Sequence, residues 1–286
     1  MELALEIRGL CKAYPGFRLE DVAFSVPRGY IMGLIGANGA GKTTIIKLVM
    51  GLIRKDAGCV RILGEDHDGR EAHLRERIGF VHETPAFYNH LTVSAMRGIV
   101  APHYDRWDDG CFLLLAEEFE LPLHKKVGTL SKGTRTKLAL ALALSHHAEL
   151  VVMDEPTSGL DPVVRRRLLG KLQELIGDGA TSVLFSTHIT SDLERVADYV
   201  TCLHRGKVVF FSTRDEVRDR WAMVKGPPDR AGEAVGESYY GMRRGEVGFQ
   251  VLTSNAVEAR RRFGDGVLVE PATLEDIMYY LGRSAS

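Results

Sequence analysis

The sequence predicts an α/β protein with a parallel-sheet core, an antiparallel β opening, a helical insertion and a small α+β appendage at the C-terminus. Two stretches carry that prediction. In YIMGLIGANGAGKTTIIKLVM the apolar run Ile31 to Ile35 reads as a buried strand, GANGAGKT follows without a break, and IIKLVM has helical spacing. In AELVVMDEPTSGLDP the run Leu150 to Met153 reads as a second buried strand, ending on the carboxylates Asp154 and Glu155. A third observation, the dominance of helical patterns between TPAFYNHLTV and LSKGTRTKLALALALSHH, places a helical insertion inside the sheet domain.

Strand, glycine-rich loop and helix, in that order, is the context in which GxxxxGK[ST] has a physical meaning. Gly36, Gly39 and Gly41 let the loop curl so that successive backbone N–H groups converge on phosphate oxygens, and the helix starting near Lys42 adds its positive end. The nest is expected to involve Gly36, Ala37, Asn38, Gly39, Ala40, Gly41, Lys42, Thr43 and Thr44, with Lys42 reaching the outer phosphates and the Thr43 hydroxyl ligating Mg2+. The carboxylates at the end of the second strand sit where ligands bind in open parallel sheets. Asp154 can hold the magnesium shell, and Glu155 can polarise a water for in-line attack on a terminal phosphate.

The chain opens with a loosely alternating strand, Leu3 to Leu10, a turn at CKAYPGF, and a second alternating run, Arg18 to Val26. Tyr14 in that turn fits two roles, stacking on a purine base or plain packing. After the loop helix, DAGCVRILGED reads as a hairpin and Ile78 to Val81 as a strand. Ser131 is placed to cap the apolar helix that closes the insertion. Val163 to Ile176 reads as a basic amphipathic helix, and TSVLFSTH as a buried strand ending at His188, close to where a terminal phosphate must lie. SDLERVADYV leads to a further strand, and HRGKVVFFST closes a hairpin. From Val224 the stretch KGPPDRAGEAVGES reads as linker or irregular surface, followed by strand, helix, strand and the final helix TLEDIMYYL. The expected division is a nucleotide domain over 1–223, with its helical subdomain over about 85–146, and an accessory domain over 224–286.

The length of 286 residues and 45% hydrophobic content allow one large and one small unit, each with a core. The net charge of -1 offers no basic field, so no nucleic-acid partner is expected. Cys11, Cys59, Cys111 and Cys202 lack metal-ligand spacing and fit a reducing compartment. The start, MELALEIRGL, is acidic where a signal peptide is basic, and no apolar run reaches membrane-spanning length. Work at a membrane would need another polypeptide for the spanning part.

Taken together, Tyr14, GANGAGKT, LSKGT, LVVMDEP, SGLD and the histidine of STH resemble, in order, the motifs of the ATP-binding subunit of an ABC transporter, over about residues 2 to 215. The resemblance implies a P-loop NTPase of ABC type that binds ATP with Mg2+ and hydrolyses it, with Glu155, His188 and Lys42 catalytic and Tyr14 at the base. It also implies a second nucleotide-binding subunit, a copy of this chain or a related one, facing it head to tail. Ser131 and Gly133 would then donate to the partner's nucleotide, and Asp161 would cross the interface. The third implication is a transmembrane subunit, reached through the surface near the helical insertion, which puts the chain at the cytoplasmic face of the cell membrane.

Two positions depart from the family pattern. Glu83, in IGFVHETP, stands where the family usually has glutamine; ionised, it offers acceptors only and adds a negative charge beside magnesium, which it is still expected to ligate. Lys132 and Thr134 in LSKGT replace a glycine and the usual glutamine. Lys132 of one subunit is expected to meet Glu83 of the other at a shared nucleotide. The separate nucleotide domain and the end in LEDIMYYL resemble the ATPases of bacterial exporters with ABC-2-type membrane subunits, and the acidic residue with LSKG resembles those serving peptide or antimicrobial-peptide export. An importer ATPase with a regulatory tail and a soluble ABC-type ATPase acting on nucleic acid or ribosomes are the alternatives.

Overall fold

Apolar side chains alternate with polar ones along β1 (Leu3–Tyr14) and β2 (Phe17–Pro27), and the two strands pair antiparallel from Leu3 opposite Pro27 to Tyr14 opposite Phe17. The computed structural model describes residues 2–177 and 179–283. β1 does not stop at Leu10 as expected. Register shifts between Ile7 and Leu10 and between Leu10 and Lys12 absorb the irregular CKAY stretch, so pairing continues and the turn shrinks to Pro15 and Gly16.

The chain then enters β3 (Ile31–Ile35), α1 (Lys42–Val49), β4 (Ala57–Ile62) and the short β5 (Glu65–Asp66). β4 and β5 complete an antiparallel sheet in the order β2-β1-β4-β5. α2 (Ala72–Arg75) leads to β6 (Ile78–Val81). The insertion follows as α3 (Val93–Val100), α4 (Asp109–Glu118) and α5 (Lys132–Leu144). Each of these three helices starts on a side-chain cap: Thr92 accepts from Ala95 N, Asp108 from Cys111 N, and Ser131 from Thr134 N.

β7 (Leu150–Asp154), α6 (Pro162–Leu175), β8 (Ser182–Thr187), α7 (Thr190–Val196), β9 (Tyr199–His204) and β10 (Lys207–Thr213) finish the main sheet. Among the described residues its order is β10-β9-β3-β8-β7-β6, parallel except for β10. Strand alternation sends Met32 and Leu34 to one face, against α1 and the antiparallel sheet, and Ile31 and Ile35 to the other, against the apolar faces of α5 and α6. Parallel pairing has a functional result: the carboxyl ends of β3, β6, β7 and β8 all open on one edge.

α8 (Arg214–Arg220) connects to a second, antiparallel sheet of β11 (Ala222–Gly226), β12 (Tyr239–Arg244), β13 (Phe249–Thr253) and β14 (Leu268–Pro271), in the order β12-β13-β11-β14, with α9 (Ala256–Phe263) and α10 (Leu274–Arg283). β11 runs across the expected boundary at 223/224, and the Pro/Gly-rich stretch read as linker contains a 3-10 turn, Pro228–Glu233, with Ala231 and Ala234 buried. The unit is also tied to the main sheet domain: α10 packs Leu274, Ile277 and Tyr280 into the same core as Leu193 of α7, and Glu194 accepts from Leu274 N at 2.9 Å. Among the described residues no helix is long and apolar enough to cross a membrane.

Candidate nucleotide site

The loop between β3 and α1 forms the floor of a cleft of about 530 Å³, lined by residues 37–44 together with Phe17, Glu83, Glu155, Ser158 and His188. Gly41 caps α1 in a left-handed conformation, φ 113°. A Cβ there would lie 2.6 Å from Leu19 Cδ2 and 2.8 Å from Phe17 Cζ, so the loop can press against the antiparallel sheet only with glycine at this position. Gly36 belongs to the same loop but lies beneath the cleft lining, its carbonyl accepting from Lys42 Nζ at 2.7 Å.

Lys42 is 6% exposed, and its Nζ is also 3.2 Å from Glu155 Oε1. Glu155, the residue after β7, is a non-glycine residue at φ 48°, a conformation that is uncommon and usually held by its surroundings. Here the other carboxylate oxygen is what holds it. Oε2 accepts from His188 N at 3.2 Å and lies 2.7 Å from His188 Nδ1. The three residues expected to be catalytic therefore form one connected chain, Lys42 to Glu155 to His188, drawn from the ends of three elements.

Asp154 occupies the other side of the strand end, 1% exposed. Thr43 Oγ1 donates to its Oδ1 at 3.3 Å and Ser186 Oγ at 2.7 Å, and no cationic side chain pairs with it among the described residues. A buried carboxylate held only by hydroxyls is a site for a hard cation. No group of three or more His, Cys, Asp or Glu suited to a metal is present among the described residues. That donor count suits Mg2+, which takes one or two carboxylates and fills its shell with water and substrate phosphates. Thr43 and Asp154 would hold it, with Glu83 at the cleft wall.

Ser186 was missed by sequence reasoning. It lies in β8 opposite Asp154, fully buried, and also accepts from Glu155 N at 3.1 Å, so it fixes both carboxylate residues at once. β8 carries three buried hydroxyl residues, Ser182, Ser186 and Thr187, so nothing in its own sequence singles Ser186 out. Phe17 and Ser158 were missed as well. Tyr14 does not line the cleft: it is 42% exposed, with Lys12 Nζ 5.6 Å from its ring centroid, whereas Phe17 opposite it on β2 reaches the phosphate loop.

Ser131, Gly133 and Asp161 also lie outside this cleft, at helix starts. Ser131 and Asp161 are both used as caps, Asp161 Oδ1 accepting from Val163 N and Val164 N at 3.0 Å. From the helix that Asp161 begins, Arg165 Nε bonds Asp192 of α7 at 2.5 Å, linking that helix to the one following His188. One expectation is corrected: Lys132 and Glu83 meet within one chain, at 4.0 Å, because α5 begins beside the exit of β6. Behind Glu83 a groove of about 440 Å³ is lined by Phe80, His82, Pro85, Phe87 and Tyr104 among others.

A family model described as ABC transporter matches residues 19–158. The chain is similar to the uncharacterized ABC transporter ATP-binding protein YdbJ of Bacillus subtilis, 32% identical over 80% of this chain and 77% of that one. It is also similar to the bacitracin transport ATP-binding protein BcrA of Bacillus licheniformis, at 32% over 77% and 73% of the two chains. With the Nod factor export ATP-binding protein I of Burkholderia orbicola, identity is 35% over 72% and 69%. Among solved structures, an ATP binding subunit of an ABC transporter superposes with a TM-score of 0.69 at 33% identity, covering 75% of this chain and 92% of that one. A dimeric ATP-binding cassette bound to ADP and Pi shares the fold, with a TM-score of 0.66 at 21% identity over 73% and 98% of the two chains.

Proposed function

The chain belongs to the ATP-binding proteins of ABC transporters, and on that premise we propose that it is the ATP-hydrolysing subunit of an exporter whose membrane-spanning part is a separate polypeptide. The relative named for Nod factor export supports the direction of transport, and the one named for bacitracin transport supports a peptide cargo. The observation that carries the catalytic reading is the Lys42, Glu155 and His188 chain at the mouth of the phosphate loop.

In this reading the loop N–H groups and Lys42 bind the triphosphate of ATP. Thr43, Asp154 and Glu83 would hold Mg2+, which would offset the charge on the phosphate oxygens. Glu155 accepts the proton of the attacking water, and the hydrogen bonds from His188 N–H and ring fix the direction in which its carboxylate points. Lys42 Nζ, 3.2 Å from Glu155 Oε1 and bonded to the Gly36 carbonyl, has one further N–H to donate to phosphate. Tyr14 or Phe17, paired across the turn of β1 and β2, offers an aromatic face to the base.

Ser131, Gly133 and Asp161, at the starts of α5 and α6 and outside the chain's own cleft, would complete the site of a second subunit, a helix N-terminus being a ready donor to phosphate. The apolar groove at Phe80, Pro85 and Phe87, adjoining Glu83, would receive the membrane subunit and place the chain at the cytoplasmic face of the membrane. The test is Glu155→Gln: ATP binding is retained and steady-state phosphate release is lost. Wild-type turnover in that variant removes Glu155 from its role. Purification of the chain from detergent-solubilised membranes without any membrane polypeptide removes the transport reading.

A further inference from the structure

Three carboxylates border the phosphate cleft, and they are held differently. Asp154 has two hydroxyls, and Glu155 has Lys42 and His188. The ion-pair partner of Glu83 among the described residues is Lys132, with Nζ 4.0 Å from Oε1. The two come from different elements. Glu83 follows β6 in a loop pinned by His82, whose Nδ1 accepts from Thr84 N at 3.1 Å. Lys132 is the first residue of α5.

The lysine stem is also placed. It runs over Gly159, in the turn between β7 and α6, where φ is +70° and a Cβ would lie 3.5 Å from Lys132 Nζ and 3.6 Å from its Cδ. The ammonium is thus supported from below by a backbone without a side chain and directed at Glu83. Both side chains are more than 40% exposed, at 42% and 45%, so the pair is weak and exchangeable. An ammonium beside one oxygen of a carboxylate that lines a magnesium-nucleotide cleft draws on the charge that a metal at the other oxygen would use, and its own positive charge opposes the metal.

We propose that Lys132 is a positioning residue for Glu83: it holds the carboxylate at the rim of the cleft and competes with Mg2+ for it, so that Lys132 sets the Mg2+ concentration at which the site takes up ATP. The proposal rests on the reading that the cleft binds Mg2+ with ATP. It makes the lysine and the glutamate a functional pair inside one subunit: acidic Glu83 binds metal more strongly than an amide would, and Lys132 tempers that gain.

The experiment is equilibrium binding of ATP to the full chain by calorimetry, at fixed ATP and increasing Mg2+, with an EDTA arm. Lys132→Met keeps the stem and removes the charge, and should lower the half-saturating Mg2+ about two- to fivefold, the range of an exposed ion pair. Lys132→Arg should match the wild type. In a Glu83→Gln background Lys132→Met should produce no shift, because the competing carboxylate is gone. An unshifted or raised Mg2+ midpoint in Lys132→Met, Lys132→Arg behaving like Lys132→Met, or the same shift with Gln at position 83, each overturns the pairing. Wild-type binding that is equal in EDTA and Mg2+ overturns the underlying metal reading instead, so the two failures are distinguishable.

Discussion

Ser186→Ala separates the support of the metal-side carboxylate from the general stability of its strand. Ser186 and Asp154 are 0% and 1% exposed, opposite each other on β8 and β7. The substitution removes the 2.7 Å bond from Ser186 Oγ to the Asp154 carboxylate, a hydrogen bond of about 1.5–3 kcal/mol. The loss at Glu155 N is smaller, since that N–H keeps the Ser186 carbonyl at 3.1 Å. Asp154 is then left with Thr43 Oγ1 at 3.3 Å. At about 2–4 °C per kcal/mol for a chain approaching this size, the melting temperature should fall by roughly 3–12 °C. Loosening a metal-holding carboxylate should weaken Mg2+-dependent ATP binding by about 10–100-fold. Ser182→Ala is the control. It is equally buried on the same strand, and its Oγ accepts from Gly29 N at 2.9 Å, a neutral bond of about 0.5–1.5 kcal/mol far from the carboxylates. Calorimetric melting and Mg2+ titration of both variants decide the matter: if Ser186→Ala behaves as Ser182→Ala in both, Ser186 does not hold Asp154 and the buried-carboxylate argument fails.

Gly41→Ala should destabilise the loop by more than about 1 kcal/mol and weaken ATP binding roughly tenfold, because φ 113° and contacts at 2.6 and 2.8 Å leave no room for a Cβ; binding equal to wild type would mean the loop relaxes freely. His146 is buried, stacked on Tyr104 at 3.9 Å, and burial holds its pKa below the ordinary value. Its folded pKa lies below its unfolded one, so the unfolded chain takes up the proton first and stability falls as pH drops below about 6.5. His146→Phe should flatten urea-derived stability between about pH 6.5 and 5, and an unchanged slope would assign that dependence to other groups. Ile277→Ala on α10 should cost about 2–5 kcal/mol, and because Ile277 shares a core with Trp221 and Leu193, unfolding should remain a single calorimetric transition. A separate low-temperature transition would make the C-terminal unit independent.

The sequence announces what depends on local chain geometry. GANGAGKT carries Gly36, Gly39 and Gly41 in one short loop, and Asp154, Glu155 and His188 stand at the ends of buried strands, so each is visible within a few residues of the strand that places it. What stays hidden is whatever depends on register between distant strands. Ser186 matters only because β7 and β8 pair with Asp154 opposite it, and one of the three hydroxyl residues of SVLFST has no local mark to show that. The same reasoning explains Tyr14 and Phe17. Both are aromatic and flank one turn, and bulges between Ile7 and Lys12, which no periodicity reveals, decide which of them faces the phosphate loop. For Lys132 and Glu83 the motifs marked each residue as unusual, but the helical insertion folds α5 back beside β6 and so turns an expected contact between subunits into one within a chain. β11 shows the limit at the domain scale: Ala222 to Gly226 runs into the Pro/Gly-rich stretch yet pairs with β13 and β14 beyond it, so composition placed the border where the chain becomes irregular and pairing places it where the sheet begins. A site assembled at parallel strand ends is therefore readable in its reacting groups and unreadable in their supports, and Ser186 and Lys132 are where mutagenesis has most to add.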